Sequence, residues 1–153
     1  MEYEVFERDF ITRTLAIIQQ YETHVQSAVE KREQVEVTLL INCLLGLLVL
    51  PNERRFNRLP PIPIEQLGDW GFHLEFVKNW GKRPEKVKPE HYGTLCELIY
   101  RMRNSISHLD IRPHGDGSEI TKIEFYGDDG FSVLVPQDCL KQFVTKLAQA
   151  VAH

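Results

Sequence analysis

The chain has 153 residues, of which 42% are hydrophobic and 26% are charged. These proportions are ordinary for a soluble globular protein, and they exclude wholesale disorder, collagen-like repeats and a disulfide-dense scaffold. Eighteen basic and 22 acidic residues give a formal net charge of −4, which argues against a broad polybasic nucleic-acid-binding surface. We expect a single domain that covers residues 1–153.

The N-terminus and the cysteines indicate where the protein acts. The first ten residues, MEYEVFERDF, lack the basic region of a secretory signal. Cys43, Cys96 and Cys139 are odd in number and far apart, so a disulfide framework is unsupported and a reducing compartment is favoured. The most apolar run, residues 39–50, is shorter than the roughly 20 residues that span a bilayer. These features predict a cytoplasmic protein without membrane contact.

Helical periodicity dominates the first two thirds of the chain. Apolar residues at three- and four-residue steps predict a first helix over residues 7 to about 31 and a second over about 33–50. Pro51 ends the second helix, and a proline-rich connection follows. A short helix is expected near residues 74–80, a polar link near 81–89, and a third long helix from about Pro89 through residue 110.

The pattern changes after Pro113. Residues 118–136 alternate apolar and polar side chains on both sides of Gly-Asp-Asp-Gly, which predicts a β-hairpin. A final helix is expected over about residues 137–152. The sequence therefore predicts a mostly α protein, a bundle of about four long helices with a C-terminal β-hairpin before the last helix.

Polar residues with chemical capability collect on the third helix, in the segment RMRNSISHLD. On a helical wheel the apolar residues through Leu109 form the core side, Arg101, Asn104 and His108 lie opposite, and Arg103 lies at the border. The helix dipole favours the cationic form of a histidine near a C-terminus, and Asn104 can orient its ring from one turn away. Arginine supplies a fork that fits phosphate oxygens. A proton shuttle, an orienting group and a phosphate clamp are what phosphodiester cleavage needs.

The segment from Arg103 to His108 resembles the R-x4-6-H motif of HEPN domains, the "higher eukaryotes and prokaryotes nucleotide-binding" helical proteins. Asn104 matches the polar residue that typically follows the arginine in that family. The resemblance implies a HEPN-like helical bundle and a metal-independent endoribonuclease without a cofactor, of a toxin–antitoxin or antiviral defence type. In such enzymes the 2′-hydroxyl of the RNA attacks the adjacent phosphorus and leaves a cyclic 2′,3′-phosphate.

The resemblance also implies roles for individual residues. His108 would be the general base or acid, Arg103 would hold the scissile phosphate, and Asn104 would fix the geometry. The family commonly dimerises, so a homodimer is expected, with an antitoxin or a defence-system protein as a further partner. Arg103 and His108 lie about 140° apart on an ideal helix, and a second copy or a bend would bring them together.

Several alternatives stay open. Arg101 provides a second register, R-x6-H, so either arginine could be the working one. Arg54, Arg55 and Arg58 are candidates for RNA backbone contacts, or they form a solvated loop. The spacing of His108, Asp110, His114 and Asp116 matches no known metal site and favours a polar turn. The competing function is a non-catalytic HEPN interaction or nucleotide-binding module that partners another defence protein.

Overall fold

A computed structural model describes residues 3–20, 42–43, 59–116 and 119–151. In this part of the chain three long helices accompany a four-stranded sheet. The helices are α1 (Tyr3–Gln20), α2 (Leu95–Ser107) and α3 (Gln137–Val151). The strands are β1 (Val77–Asn79), β2 (Ile111–Asp116), β3 (Glu119–Tyr126) and β4 (Ser132–Pro136).

The sheet is antiparallel throughout, with the strand order β1-β4-β3-β2. Its inner face is apolar because alternate residues of β3 and β4 point the same way. Helices α2 and α3 pack against β3, and α3 also contacts α1. Each large side chain buried in this core stabilises the fold by about 1.5–3 kcal/mol. The fully buried side chains from the sheet and α3 are Ile123, Phe125, Val133, Val135, Leu140, Phe143, Val144, Leu147 and Ala148.

The predicted architecture, a bundle of about four long helices with one hairpin, is wrong. A four-stranded sheet replaces the simple hairpin, because the predicted β3–β4 pair is extended by a strand on each side. Strand β2 occupies a segment for which the sequence predicts a polar turn, because Pro113 and Gly115 are residue types that are common in turns. Both residues are tolerated there because β2 is an edge strand. The hairpin itself and the helix that starts at Gln137 are confirmed.

The remaining predicted elements differ in their bounds. Helix α1 begins four residues before its predicted start, and of the predicted second helix only Asn42 and Cys43 are described, both of them helical. The predicted short helix near residue 74 is a single 3-10 turn (Leu74–Phe76) that leads directly into β1. Another 3-10 turn (Pro89–His91) precedes α2, which starts only at Leu95. Among the described residues, no helix is long and apolar enough to cross a membrane.

Candidate functional site

Helix α2 buries a polar stripe as well as an apolar one. Glu97, Arg101 and Ser105 follow one another at four-residue steps, and all three are at most 3% exposed. Such a stripe needs polar partners, because a buried polar group without a hydrogen bond destabilises the fold. The partners come from the segment just before the helix, the loop after β1, the end of β3 and the turn between β3 and β4.

The first turn of α2 is fixed by Glu97. Its Oε1 accepts a hydrogen bond from the Gly93 N–H at 2.9 Å and pairs with Arg83. The Arg83 guanidinium lies between the rings of Trp80 and Tyr92, at 4.9 and 4.7 Å from their centroids. This arrangement ties the loop after β1 to the start of the helix, so that the loop lies beside the next turn of the stripe.

The last turn of α2 ends at His108 in a Schellman motif. The Leu109 N–H donates to the Ile106 carbonyl at 3.1 Å, and the Asp110 N–H donates to the Ser105 carbonyl at 2.7 Å. Leu109 therefore adopts a left-handed backbone with φ 57°, and its side chain is 82% exposed. The prediction that Leu109 belongs to the core is wrong because the helix has already ended. The same reversal turns the chain into β2 and leaves His108 at an open helix end.

A pocket of about 220 Å³ lies between α2 and the turn that joins β3 to β4. One wall comes from helix α2, and the other comes from Asp110, the end of β3 and the residues that follow it. The turn itself comprises residues 127–130 and is called here the 127–130 turn. The lining residues are Arg101, Asn104, Ser105, His108, Asp110, Tyr126, Gly127, Asp128, Asp129 and Phe131.

Arg101 forms the base of the pocket. Its Nη1 donates to Asp129 Oδ2 at 2.5 Å and to the Lys82 carbonyl at 3.1 Å, and its guanidinium lies 4.8 Å from the centroid of the Phe131 ring. The Nε and Nη2 atoms are buried and have no hydrogen-bond partner among the described residues. The sequence predicts Arg101 on the side of the helix opposite the core, but it is buried, since the 127–130 turn covers it. A guanidinium held by one nitrogen keeps its other edge for a further acceptor.

The predicted site residues are brought together in part. Arg101, Asn104 and His108 line the pocket, and residues 101 and 108 lie about 20° apart on the helix, because seven residues nearly complete two turns. Arg103 is half-buried, is not a lining residue of this pocket and forms no ion pair with a described residue. Arg54, Arg55 and Arg58 lie outside the described residues.

Sequence reasoning missed the far wall of the pocket. Asp129 reaches Arg101 across 28 positions of the chain, and Ser105 Oγ donates to the Tyr126 carbonyl at 2.6 Å. The available signal for Ser105 is its spacing, since residues 101, 104, 105 and 108 repeat the i, i+3, i+4, i+7 pattern of one helix face. Asp129 carries no such signal, because its role depends on how the hairpin packs over α2.

Other reactive groups lie apart from this pocket. On the outer face of the sheet, a hydrogen bond with His114 Nε2 at 2.9 Å holds the pKa of the Glu124 carboxyl below its usual value. Burial raises the pKa of the Cys96 thiol, which disfavours the nucleophilic thiolate. Within the described ranges no group of three or more His, Cys, Asp or Glu side chains could hold a metal ion.

Comparison with known proteins identifies the family. A family model described as HEPN pEK499 p136 matches residues 1–153, the whole chain, and confirms the resemblance predicted from the motif on α2. No curated protein and no solved structure matches the chain. HEPN membership supports an RNA-related, nuclease-like or toxin-like role in general terms. The chain therefore belongs to the HEPN pEK499 p136 family.

Proposed function

We propose that this protein is a metal-independent endoribonuclease whose site is the pocket formed by Arg101, Asn104 and His108. One observation carries the proposal: a histidine, an amide side chain and a buried arginine, two of whose nitrogens have no partner among the described residues, line the same pocket. These are the groups that phosphodiester cleavage requires, a proton carrier, an orienting group and an anion clamp. Family membership gives general support to an RNA-related role.

In the proposed reaction, His108 takes the proton from a ribose 2′-hydroxyl. The 2′-oxygen forms a bond to the adjacent phosphorus, the bond from phosphorus to the 5′-oxygen breaks, and the leaving oxygen takes up a proton. The products are a cyclic 2′,3′-phosphate and a 5′-hydroxyl, and no oxidant or metal takes part. Arg101 stabilises the charge on the phosphoryl oxygens, and Asn104 orients the substrate or the imidazole.

A homodimer completes this proposal. One imidazole transfers one proton at a time, whereas cleavage needs both a base and an acid. HEPN domains often act as dimers, so the His108 of a second copy would supply the acid. In that dimer Arg103 is the alternative phosphate-binding residue, and it would act at the site of the second copy. Arg54, Arg55 and Arg58 are proposed as contacts to the RNA backbone farther from the cut.

The competing proposal is a non-catalytic module that binds a defence protein or an antitoxin. It is favoured by the ion pair of Arg101 with Asp129, since the charge of a purely structural arginine would be paired in this way. It is also favoured by the Asp110 and Asp128 carboxylates in the pocket wall, which repel RNA.

The experiment compares wild type, His108→Ala and His114→Ala on a mixed-sequence single-stranded RNA in the presence of EDTA. His108 is exposed, so its removal should leave the fold intact, and His114 is an exposed histidine outside the pocket. We expect wild type and His114→Ala to cleave equally and His108→Ala to lose about 10²–10⁴-fold in rate. If wild type leaves varied RNAs intact and instead binds a partner protein, the module is correct.

A further inference from the structure

The 127–130 turn closes the pocket over its only described buried cation. Arg101 is 3% exposed, and its Nε and Nη2 atoms are shielded from solvent although neither has a hydrogen-bond partner in the part of the chain that the structure describes. Asp129 and the ring of Phe131 cover the guanidinium. A phosphate therefore cannot reach these nitrogens while the turn stays in place. If Arg101 binds phosphate, the turn has to move.

Asp129 is oriented for this contact by the turn itself. Its Oδ1 accepts the Phe131 N–H at 3.1 Å, which leaves Oδ2 directed at Arg101. The carbonyl of Asp129 accepts the Lys82 N–H at 3.0 Å, so one hydrogen bond joins the turn to the loop after β1. Glycines at both ends of the turn, Gly127 and Gly130, give it backbone freedom. The turn is thus closed by a small number of specific contacts.

The charges in the pocket favour the same movement. Three carboxylates, those of Asp110, Asp128 and Asp129, line the pocket together with Arg101 and His108. The closed pocket therefore carries net negative charge and repels a phosphodiester. Two of the three carboxylates are on the 127–130 turn. A single outward movement of the turn removes both of them and leaves one carboxylate beside Arg101 and His108.

The unpaired hydrogen-bond donors of Arg101 also make the closed position of the 127–130 turn less stable. The Nε and Nη2 atoms, which carry three N–H groups, have no acceptor among the described residues, and they penalise the closed arrangement because they have lost water without gaining a partner. A phosphodiester offers two anionic oxygens that fit the edge of a guanidinium and carries the same charge as the carboxylate it would replace. Exchange of Asp129 for RNA phosphate therefore keeps the cation paired and satisfies more of its donors.

We infer that the 127–130 turn is a gate, in which the Asp129 carboxylate occupies Arg101 until a phosphodiester of single-stranded RNA displaces it. This inference rests on the proposed function, because it takes Arg101 as the phosphate-binding residue. It adds a regulatory element to that site, because the Asp129 carboxylate competes with RNA phosphate for Arg101.

A binding experiment separates the gate from general electrostatics. In a His108→Ala background, which keeps the RNA intact, Asp129→Asn and Asp128→Asn each remove one charge from the same turn. Only Asp129 is paired with Arg101. We expect Asp129→Asn to tighten binding of a labelled single-stranded oligoribonucleotide about tenfold and Asp128→Asn about twofold. Equal or weaker binding by Asp129→Asn would overturn the gate and leave Asp129 as a residue that positions Arg101.

The same assay distinguishes failure of the gate from failure of the proposed function. If Arg101→Lys in this background abolishes RNA binding while Asp129→Asn and Asp128→Asn behave alike, the site stands and the gate is wrong. If none of these proteins binds RNA, both are wrong.

Hydrogen exchange provides a readout that does not depend on substituting Asp129. The Lys82 N–H donates to the Asp129 carbonyl and the Phe131 N–H donates to its carboxylate, so both amides report closure. With His108→Ala protein, saturating RNA should speed exchange at Lys82 and Phe131 and leave the amides inside α3 unchanged. Unchanged or slower exchange at both positions would show that the turn stays closed on RNA and would overturn the inference.

Discussion

Arg101 Nη1 and Asp129 Oδ2 lie 2.5 Å apart and join the middle of helix α2 to the turn between β3 and β4. Arg101 is 3% exposed and Asp129 is 37% exposed, so the pair is buried at its cationic end and open at its anionic end. A buried cation without a partner strongly destabilises the protein, whereas an exposed carboxylate without a partner is readily hydrated. The asymmetry makes Asp129 the partner that can be exchanged.

The roles of Arg101 and Arg103, which lie on the same helix, can be distinguished by conservative substitutions. Arg101→Lys keeps the charge and removes the planar fork, and Arg103→Lys makes the same change two residues away. We expect Arg101→Lys to lower single-turnover RNA cleavage by about 10²-fold or more and Arg103→Lys by less than about threefold. Thermal unfolding of both variants serves as the check on folding. The reverse ranking would assign the phosphate to Arg103, reached through a second copy.

The strained end of helix α2 predicts an unusual stabilising substitution. Leu109 has φ 57°, which is unfavourable for a residue with a Cβ atom, and its side chain is 82% exposed and contributes little to packing. Leu109→Gly should raise the free energy of unfolding by about 0.5–1 kcal/mol, measured by urea denaturation. Leu109→Ala, which keeps the Cβ atom, is the matched control and should stay within about 0.5 kcal/mol of wild type. A loss of stability in the glycine variant would mean that the leucine side chain makes a contact the strain argument omits.

Two glycines with similar φ angles test how tightly the 127–130 turn is held. Gly81 and Gly93 have φ of 67° and 70°, so alanine brings comparable backbone strain to both. A Cβ atom at Gly81 would lie 2.5 Å from the Asp129 carbonyl oxygen and 2.6 Å from the Phe131 nitrogen, whereas one at Gly93 meets nothing within 4 Å. Gly81→Ala should therefore destabilise the protein by about 1–3 kcal/mol more than Gly93→Ala in urea unfolding. Equal losses of stability in the two variants would show that the 127–130 turn can shift to accommodate the added Cβ atom without an energetic cost.

The chemistry of helix α2 could be predicted from the sequence, but its surroundings could not. The spacing of residues 101, 104 and 108 places them on one face whatever the rest of the fold does. The burial of Arg101 depends on Asp129, which lies 28 positions away, and no local pattern encodes that contact. Strand β2 was missed for a related reason, since Pro113 disfavours a central strand and only the sheet order makes it an edge.

The proposed cleavage of RNA by attack of its 2′-hydroxyl can be tested with one modified substrate. A single-stranded RNA is first cut in EDTA to locate a cleavage site, and the ribose whose 2′-hydroxyl adjoins that site is then replaced by deoxyribose. This mechanism predicts that cleavage at this bond disappears and that neighbouring sites are still cut, giving cyclic 2′,3′-phosphate and 5′-hydroxyl ends. Continued cleavage at the deoxyribose position, or products with a 5′-phosphate, would contradict it.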